Sequence, residues 1–170
     1  MLAIQKITDP ESGEVKILAD LAFEIWHEHF VSILSEEQIE YMVEKFQSEP
    51  AMRAQLENQG YLYYLAREDG EPAAYAAIVP NPEEESIFLS KLYVKKEHRG
   101  KGFSRQLMNY LFEEIFGCGY RKIFLTCNKR NENSLAVYRH MGFLVTDEVV
   151  TPIGNGMVMD DYVMTLLLPE

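Results

Sequence analysis

Cysteine is scarce in this 170-residue chain: Cys118 and Cys127 are the two, and they form no C-x-x-C pair. Two unpaired thiols suit a reducing compartment, so the expected location is cytoplasmic. Basic residues are outnumbered, 16 Lys and Arg against 27 Asp and Glu, for a net charge of −11. That balance argues against nucleic acid or an anionic membrane as the main partner, because both need a basic face. No segment approaches ~20 uninterrupted apolar residues, so no span is expected, and the N-terminus lacks the basic-then-apolar order of a signal peptide. There are four histidines, and His27 and His29 are two apart, pointing in different directions on a helix. No metal site is expected. Repeats, low-complexity runs and linkers are also missing, and 170 residues with 47% apolar content suit a single domain over 1–170 with a real core.

What is present is organised around residues 87–116. The run I-F-L-S-K-L-Y-V mixes β-branched, aromatic and leucine residues and predicts a strand. Phe103, Leu107, Tyr110, Leu111 and Ile115 then repeat at the spacing of a buried helix face. Between them, Arg99-Gly100-Lys101-Gly102 makes a short basic turn that opens into the helix. A helix start offers unpaired N–H groups and partial positive charge, and glycines let a ligand approach them. The turn therefore suits a phosphate or pyrophosphate, or else is a solvated basic turn. Neither a G-x-x-x-x-G-K-[ST] loop nor a G-x-G-x-x-G fingerprint is present.

Elsewhere the pattern predicts a first strand over 2–8, and a helix from the Asp9-Pro10 start to about Phe30, buried through Val15, Leu18, Leu21, Ala22, Ile25 and Trp26. A capping box at Ser35 to Gln38 starts a second helix with Ile39, Met42, Val43 and Phe46 inward. Ser48-Glu49-Pro50 starts a third, stopped by Gly60. Strands are expected over 61–67 and 72–79 around an Asp69-Gly70 turn, with Pro80-Asn81-Pro82 breaking the second. After the central helix, Gly117-Cys118-Gly119 makes a stop, 122–127 an alternating strand, and 128–132 a polar connection to a helix ending at Met141 before Gly142. Two last strands, about 143–150 and 157–167, flank the segment 152–156. The fold class is mixed α/β, its central strand–helix–strand unit a right-handed crossover with parallel strands.

Two motifs in register resemble the GCN5-related N-acetyltransferases, the GNAT superfamily. Arg99-Gly100-Lys101-Gly102-Phe103-Ser104 is similar to that family's [QR]-x-x-G-x-[GA], departing at Ser104, which is still small. Further on, Asn131, Ser134, Tyr138, Gly142 and Phe143 match N-x-x-[AS]-x-x-x-Y-x-x-x-G-F at every specified position, and Asp161-Tyr162-Val163-Met164 resembles the last strand of many members. The resemblance covers roughly residues 60–168 well and the first sixty loosely. It implies a central mixed, mostly antiparallel sheet of about seven strands, helices on both faces, and a splayed parallel pair that admits acetyl-CoA.

The same resemblance implies site roles. Amides over Arg99, Gly100, Lys101, Gly102, Phe103 and Ser104 would take the pyrophosphate, and Leu92, Tyr93 and Val94 would pair with the pantetheine arm. Val94 N–H would polarise the thioester carbonyl. Asn131, Ser134 and Tyr138 are further cofactor contacts, with Asn131 also a local N-cap, and Tyr138 the general acid for the leaving thiolate. Gly142 and Phe143 read as structural. The base is left open among Glu28, His29, Glu84, Glu85 and a water chain.

The implied reaction is direct attack of a small-molecule primary amine on acetyl-CoA, with a polyamine such as spermidine as one option. A protein or peptide N-terminus is the alternative acceptor, and an acyl-CoA sensor without turnover is the alternative class. A homodimer is left open, and so is use of a longer acyl-CoA.

Overall fold

The computed structural model describes residues 2–115 and 118–168. The expected end of the central helix at Phe116 and the first residue of its stop, Gly117, lie outside the described residues. Seven strands hydrogen-bond in the order β1-β2-β3-β4-β5-β7-β6. The chain gathers into two compact units, one of residues 1–79 with 91–114, the other of residues 80–90 with 115–170.

In the first unit, β1 (Leu2–Ile7) pairs antiparallel with β2 (Leu62–Glu68), from Leu2↔Glu68 to Ile7↔Tyr63. β2 turns through Asp69 and Gly70, at φ of 50° and 87°, into the antiparallel β3 (Glu71–Asn81). Positive φ at both turn residues matches the twist of the flanking strands, which is why Asp-Gly predicts this hairpin. β3 runs through Pro80 to Asn81, past the predicted break, and Asn81 Oδ1 then accepts Glu84 N–H to start a short turn.

Alternation along β2 sorts its side chains between two layers. Tyr63 and Leu65, with Tyr75 and Ala77 of β3, pack under α1 (Glu14–His29) and α3 (Glu49–Asn58) through Val15, Leu18, Leu21, Ile25, Met52 and Leu56. Tyr64 faces the other way, its ring 5.9 Å from Tyr110 and its hydroxyl donating to Glu114 at 3.0 Å, both on α4 (Phe103–Ile115).

Two helix expectations change. α1 begins at Glu14 behind Gly13, not at Asp9-Pro10. The Asp9 carboxylate instead accepts Glu11 N–H at 2.9 Å within a tight turn that the Arg53 guanidinium clamps through Pro10 and Ser12 carbonyls. The second helix is two pieces: α2 (Glu36–Met42), capped by Ser35 Oγ as expected, then a wide π turn over Val43–Gln47. That turn leaves the Phe46 carbonyl to accept from Gln55 Nε2 and Lys91 Nζ. Ser48 caps α3 with Pro50 in its first turn, as expected.

In the second unit, the start of β4 (Ser86–Val94) runs parallel to β5 (Lys122–Asn128), with Ser86↔Lys122, Ile87↔Ile123 and Phe88↔Phe124 in register. α5 (Glu132–His140) follows, then β6 (Leu144–Gly154) and β7 (Met157–Leu167). β7 lies between β5 and β6, antiparallel to both. The connection expected over 152–156 is shorter: β6 continues to Gly154, and Asn155 and Gly156 turn at φ of 55° and 73°. Leu125, Cys127 and Phe143 are buried here, with Met164. Among the described residues no helix is long and apolar enough to cross a membrane.

Candidate active site

In the first unit, the end of β4 leads into the loop before α4. Leu92 and Tyr93 are half-buried and Val94 is buried. Lys95 N–H bonds Ala73 O at 2.8 Å, and a single 3-10 turn, Lys96–His98, redirects the chain. Carboxylates fasten this turn. Glu28 accepts from Lys96 N–H at 2.6 Å, while Lys95 Nζ meets Glu24 at 2.7 Å and Glu97 at 2.8 Å. Those two partners hold the Lys95 amine above its ordinary value. One oxygen of Glu68 receives both Lys101 Nζ, at 2.8 Å, and Nδ1 of the buried His98, at 2.7 Å. The two hydrogen bonds, Lys101 first, keep that carboxyl below its usual range.

Arg99 turns back, its Nε–H donating to Val94 O at 3.0 Å, and so ties the loop to the strand end. Gly100 and Gly102 take φ of 81° and 78°, and a Cβ built on either meets nothing within 4 Å. The loop thus presents open backbone directly ahead of α4, whose first N–H groups have no partner within the helix. Phe103 is buried beside the His98 ring and Ser104 is half-buried. A pyrophosphate fits such a seat: donors, partial positive charge and room for close approach.

In the second unit, the expected cofactor contacts lie on α5 and its approach. Asn131 stands at the N-cap and is buried, but its side chain makes no capping bond, contrary to its expected local role. The turn before it is closed by Asn128, whose Oδ1 accepts Arg130 N–H at 2.9 Å and whose carbonyl accepts Asn131 N–H at 2.9 Å. Ser134 is half-buried one turn on. Tyr138 is half-buried, its ring 5.8 Å from that of the fully buried Phe143 and edge-on to it. Burial, and then neighbouring Cys127, push the Tyr138 phenol above its ordinary 10, so it stays protonated at neutral pH. Gly142 ends the helix at φ 103°, where a Cβ would stand 3.3 Å from Leu166 Cδ1.

The four candidate bases have separate surroundings. Glu28 is committed to the loop backbone, and His29 is half-buried with its ring 4.7 Å from Phe30. Glu84 and Glu85 are exposed, the latter paired with Arg121 at 3.2 Å.

Two buried charged residues went unread in the sequence. Lys91 on β4 is 3% exposed, and its amine donates to Phe46 O, Gln55 Oε1 and Tyr63 Oη. All three acceptors are neutral, and burial drives the amine well below its ordinary 10.5. Asp161 on β7 is 7% exposed. Strand alternation was the available signal for Lys91: positions 87, 89, 91 and 93 share a face, and Ile87 and Leu89 are apolar.

Comparison with known proteins supplies context. Residues 21–143 match the model of the acetyltransferase (GNAT) family. L-amino acid N-acyltransferase MnaT of Escherichia coli is 28% identical over 98 residues, 53% of this chain and 54% of that protein. The chain spans about half the length of the curated relatives it matches. Among solved structures, the PaiA N-acetyltransferase of Thermoplasma acidophilum in complex with coenzyme A aligns with TM-score 0.77 at 20% identity, over 98% of this chain and 99% of that one. A Vibrio cholerae spermidine N-acetyltransferase SpeG chimera with hSSAT aligns with TM-score 0.71 at 20% identity, over 98% and 95%. These structural likenesses are of fold.

Proposed function

Because the chain belongs to the acetyltransferase (GNAT) family, we propose that it transfers the acetyl group of acetyl-CoA to a primary amine of a small molecule, by direct attack, in the cytoplasm. The observation that carries this reading is the loop from β4 to α4, with Gly100 and Gly102 at positive φ and open space where their side chains would stand. Backbone N–H groups over residues 99–104 would bind the pyrophosphate. Leu92, Tyr93 and Val94 would pair with the pantetheine arm in the manner of an added strand, and Val94 N–H would polarise the thioester carbonyl. Asn131 and Ser134 would complete the cofactor contacts, the uncapping Asn131 side chain being unspent on its own helix. Tyr138 would protonate the departing thiolate, its phenol being kept protonated at neutral pH by burial. The two units act as one acetyltransferase domain in this reading.

An alkylamine has a pKa near ~10, so the acceptor arrives as an ammonium and must lose a proton before attack. A chain with net charge −11 is compatible with a cationic acceptor. Spermidine is one option, supported by likeness to a spermidine acetyltransferase, and an amino acid is another, supported by the relative named for that activity.

Thiol release from acetyl-CoA across spermidine, spermine, an aminoglycoside, amino acids and a peptide N-terminus tests the reading. Release with one amine class supports it and names the class. Coenzyme A binding with silence across the panel points to an acyl-CoA sensor, and no coenzyme A binding at all refutes the proposal.

A further inference from the structure

Gly100 and Gly102 give the loop before α4 a backbone with little conformational preference of its own, so contacts outside the loop must fix where its N–H groups point. Between Arg99 and the buried Phe103, the bond from Lys101 Nζ to Glu68 is the one side-chain tether among the described residues. Glu68 ends β2 and reaches the loop at two points. Its Oε1 accepts from His98 Nδ1 at 2.7 Å and from Lys101 Nζ at 2.8 Å, so one atom holds a residue ahead of the glycines and the residue between them. The His98 ring lies 6.4 Å from that of Phe103, the first residue of α4, at 29° to it. Through His98 the same carboxylate therefore bears on the helix start as well. All three residues belong to the first unit. The side chains of Glu68 and His98 are 17% and 8% exposed, which sets this pair apart from screened surface pairs that hold little in place.

We propose that Glu68 is a positioning residue for cofactor binding: by holding His98 and Lys101 on one oxygen, it sets the loop so that its N–H groups and the Lys101 ammonium face the pyrophosphate of acetyl-CoA. This rests on the acetyl-transfer reading above. Glu68 touches no reacting atom and moves no proton. Its two hydrogen bonds, Lys101 first, keep the carboxyl ionised at neutral pH, and an ionised carboxylate only accepts. His98 Nδ1 is therefore the donor. An ammonium carries three N–H groups, and the Lys101 side chain is 49% exposed, so pairing with Glu68 leaves Lys101 donors for a second anion. A carboxylate beside an anion's seat repels it unless cations share its charge, and here Lys101 does so directly. Without Glu68, ordering of the loop would fall on the binding step and weaken it. The opposite reading makes Glu68 a competitor that withholds Lys101 from phosphate, and its removal would then strengthen binding. The sign of the change separates the two.

Calorimetry of coenzyme A with the full chain reads that sign. Glu68→Ala should weaken binding by roughly tenfold, and Glu68→Gln, which keeps an acceptor of the same size without the charge, by less. With the panel amine of highest turnover, KM for acetyl-CoA should rise by the same factor while kcat stays near wild type. A variant that is only less folded would instead lose apparent kcat at an unchanged KM. In the 15N spectrum at pH 8, Nδ1 of His98 should carry a proton in the wild type and lose it in Glu68→Ala. If the alanine variant does not fold, the glutamine variant decides through binding and KM. Variants that bind coenzyme A as well as the wild type or better, or a wild-type Nδ1 without its proton, overturn the role of Glu68 and leave the acetyl-transfer reading standing. A wild type that binds no coenzyme A refutes that reading, and the role of Glu68 with it.

Discussion

Replacing Lys91 with methionine isolates the cost of one buried amine. Methionine is similarly long and unbranched, so the site stays filled. The lost hydrogen bonds leave few orphans: Phe46 O keeps Gln55 Nε2 at 3.0 Å, and Gln55 Oε1 keeps the Tyr63 hydroxyl at 2.5 Å. At neutral pH the change should therefore move stability by no more than about 1–2 kcal/mol. The diagnostic quantity is the pH dependence. Burial lowers the folded-state value of Lys91 below the 10.5 of an exposed lysine, so between those two values the unfolded chain binds more protons than the folded one. Wild-type stability must then rise with pH through that window, by up to about 1.4 kcal/mol per unit, and be flat where both states are protonated. The variant lacks this contribution, and other groups cancel in the difference. Urea unfolding of both proteins at a series of pH values up to 10 should show the wild type gaining stability over the variant as pH rises through that window. A difference constant to within about 0.5 kcal/mol would mean that Lys91 keeps an ordinary ammonium despite its burial, and the argument would fail.

Other perturbations test separate links. Tyr138→Phe should cut kcat for thiol release by roughly 10²–10⁴ while leaving acetyl-CoA affinity near wild type, and the wild-type rate should show no loss of acid below pH 10, because the phenol is raised above 10. Gly102→Val places a β-branched residue at φ 78° without a clash, so it should cost about 1–3 kcal/mol by backbone strain and weaken coenzyme A binding measured by calorimetry. Native alkylation at pH 8 followed by mass spectrometry should modify the exposed Cys118 and spare Cys127, whose thiol sits at about 12.

The readable parts of the fold were those in which short-range chemistry decides. Asp69-Gly70 specifies a hairpin, Ser35 and Ser48 specify helix starts, and 3.6-residue spacing in α1 and α4 specifies buried faces. Where a distant partner decides, the local signal misled. Asp9-Pro10 has the chemistry of a helix start, yet Arg53, more than forty positions away, holds the carbonyls of that turn. The π turn at Val43–Gln47 is likewise invisible to periodicity, because what stabilises its free carbonyl is Lys91 on a strand.

The site divides along the same line. Glycines at positive φ and a tyrosine at fixed spacing are legible because backbone geometry and helical repeat demand them. A general base is not, since its function depends on burial and on the lack of competing donors, and these are tertiary properties. The exposed or committed carboxylates Glu84, Glu85 and Glu28 stood near the expected strand and helix ends, which made them visible candidates. Asp161 sits in a run of two aspartates that, read locally, suggests a solvated strand end. In the fold Asp161 is buried, whereas Asp160 is exposed and pairs with Lys129 at 3.0 Å. Which of two adjacent aspartates is buried is therefore a tertiary outcome that the Asp-Asp pair does not display by itself.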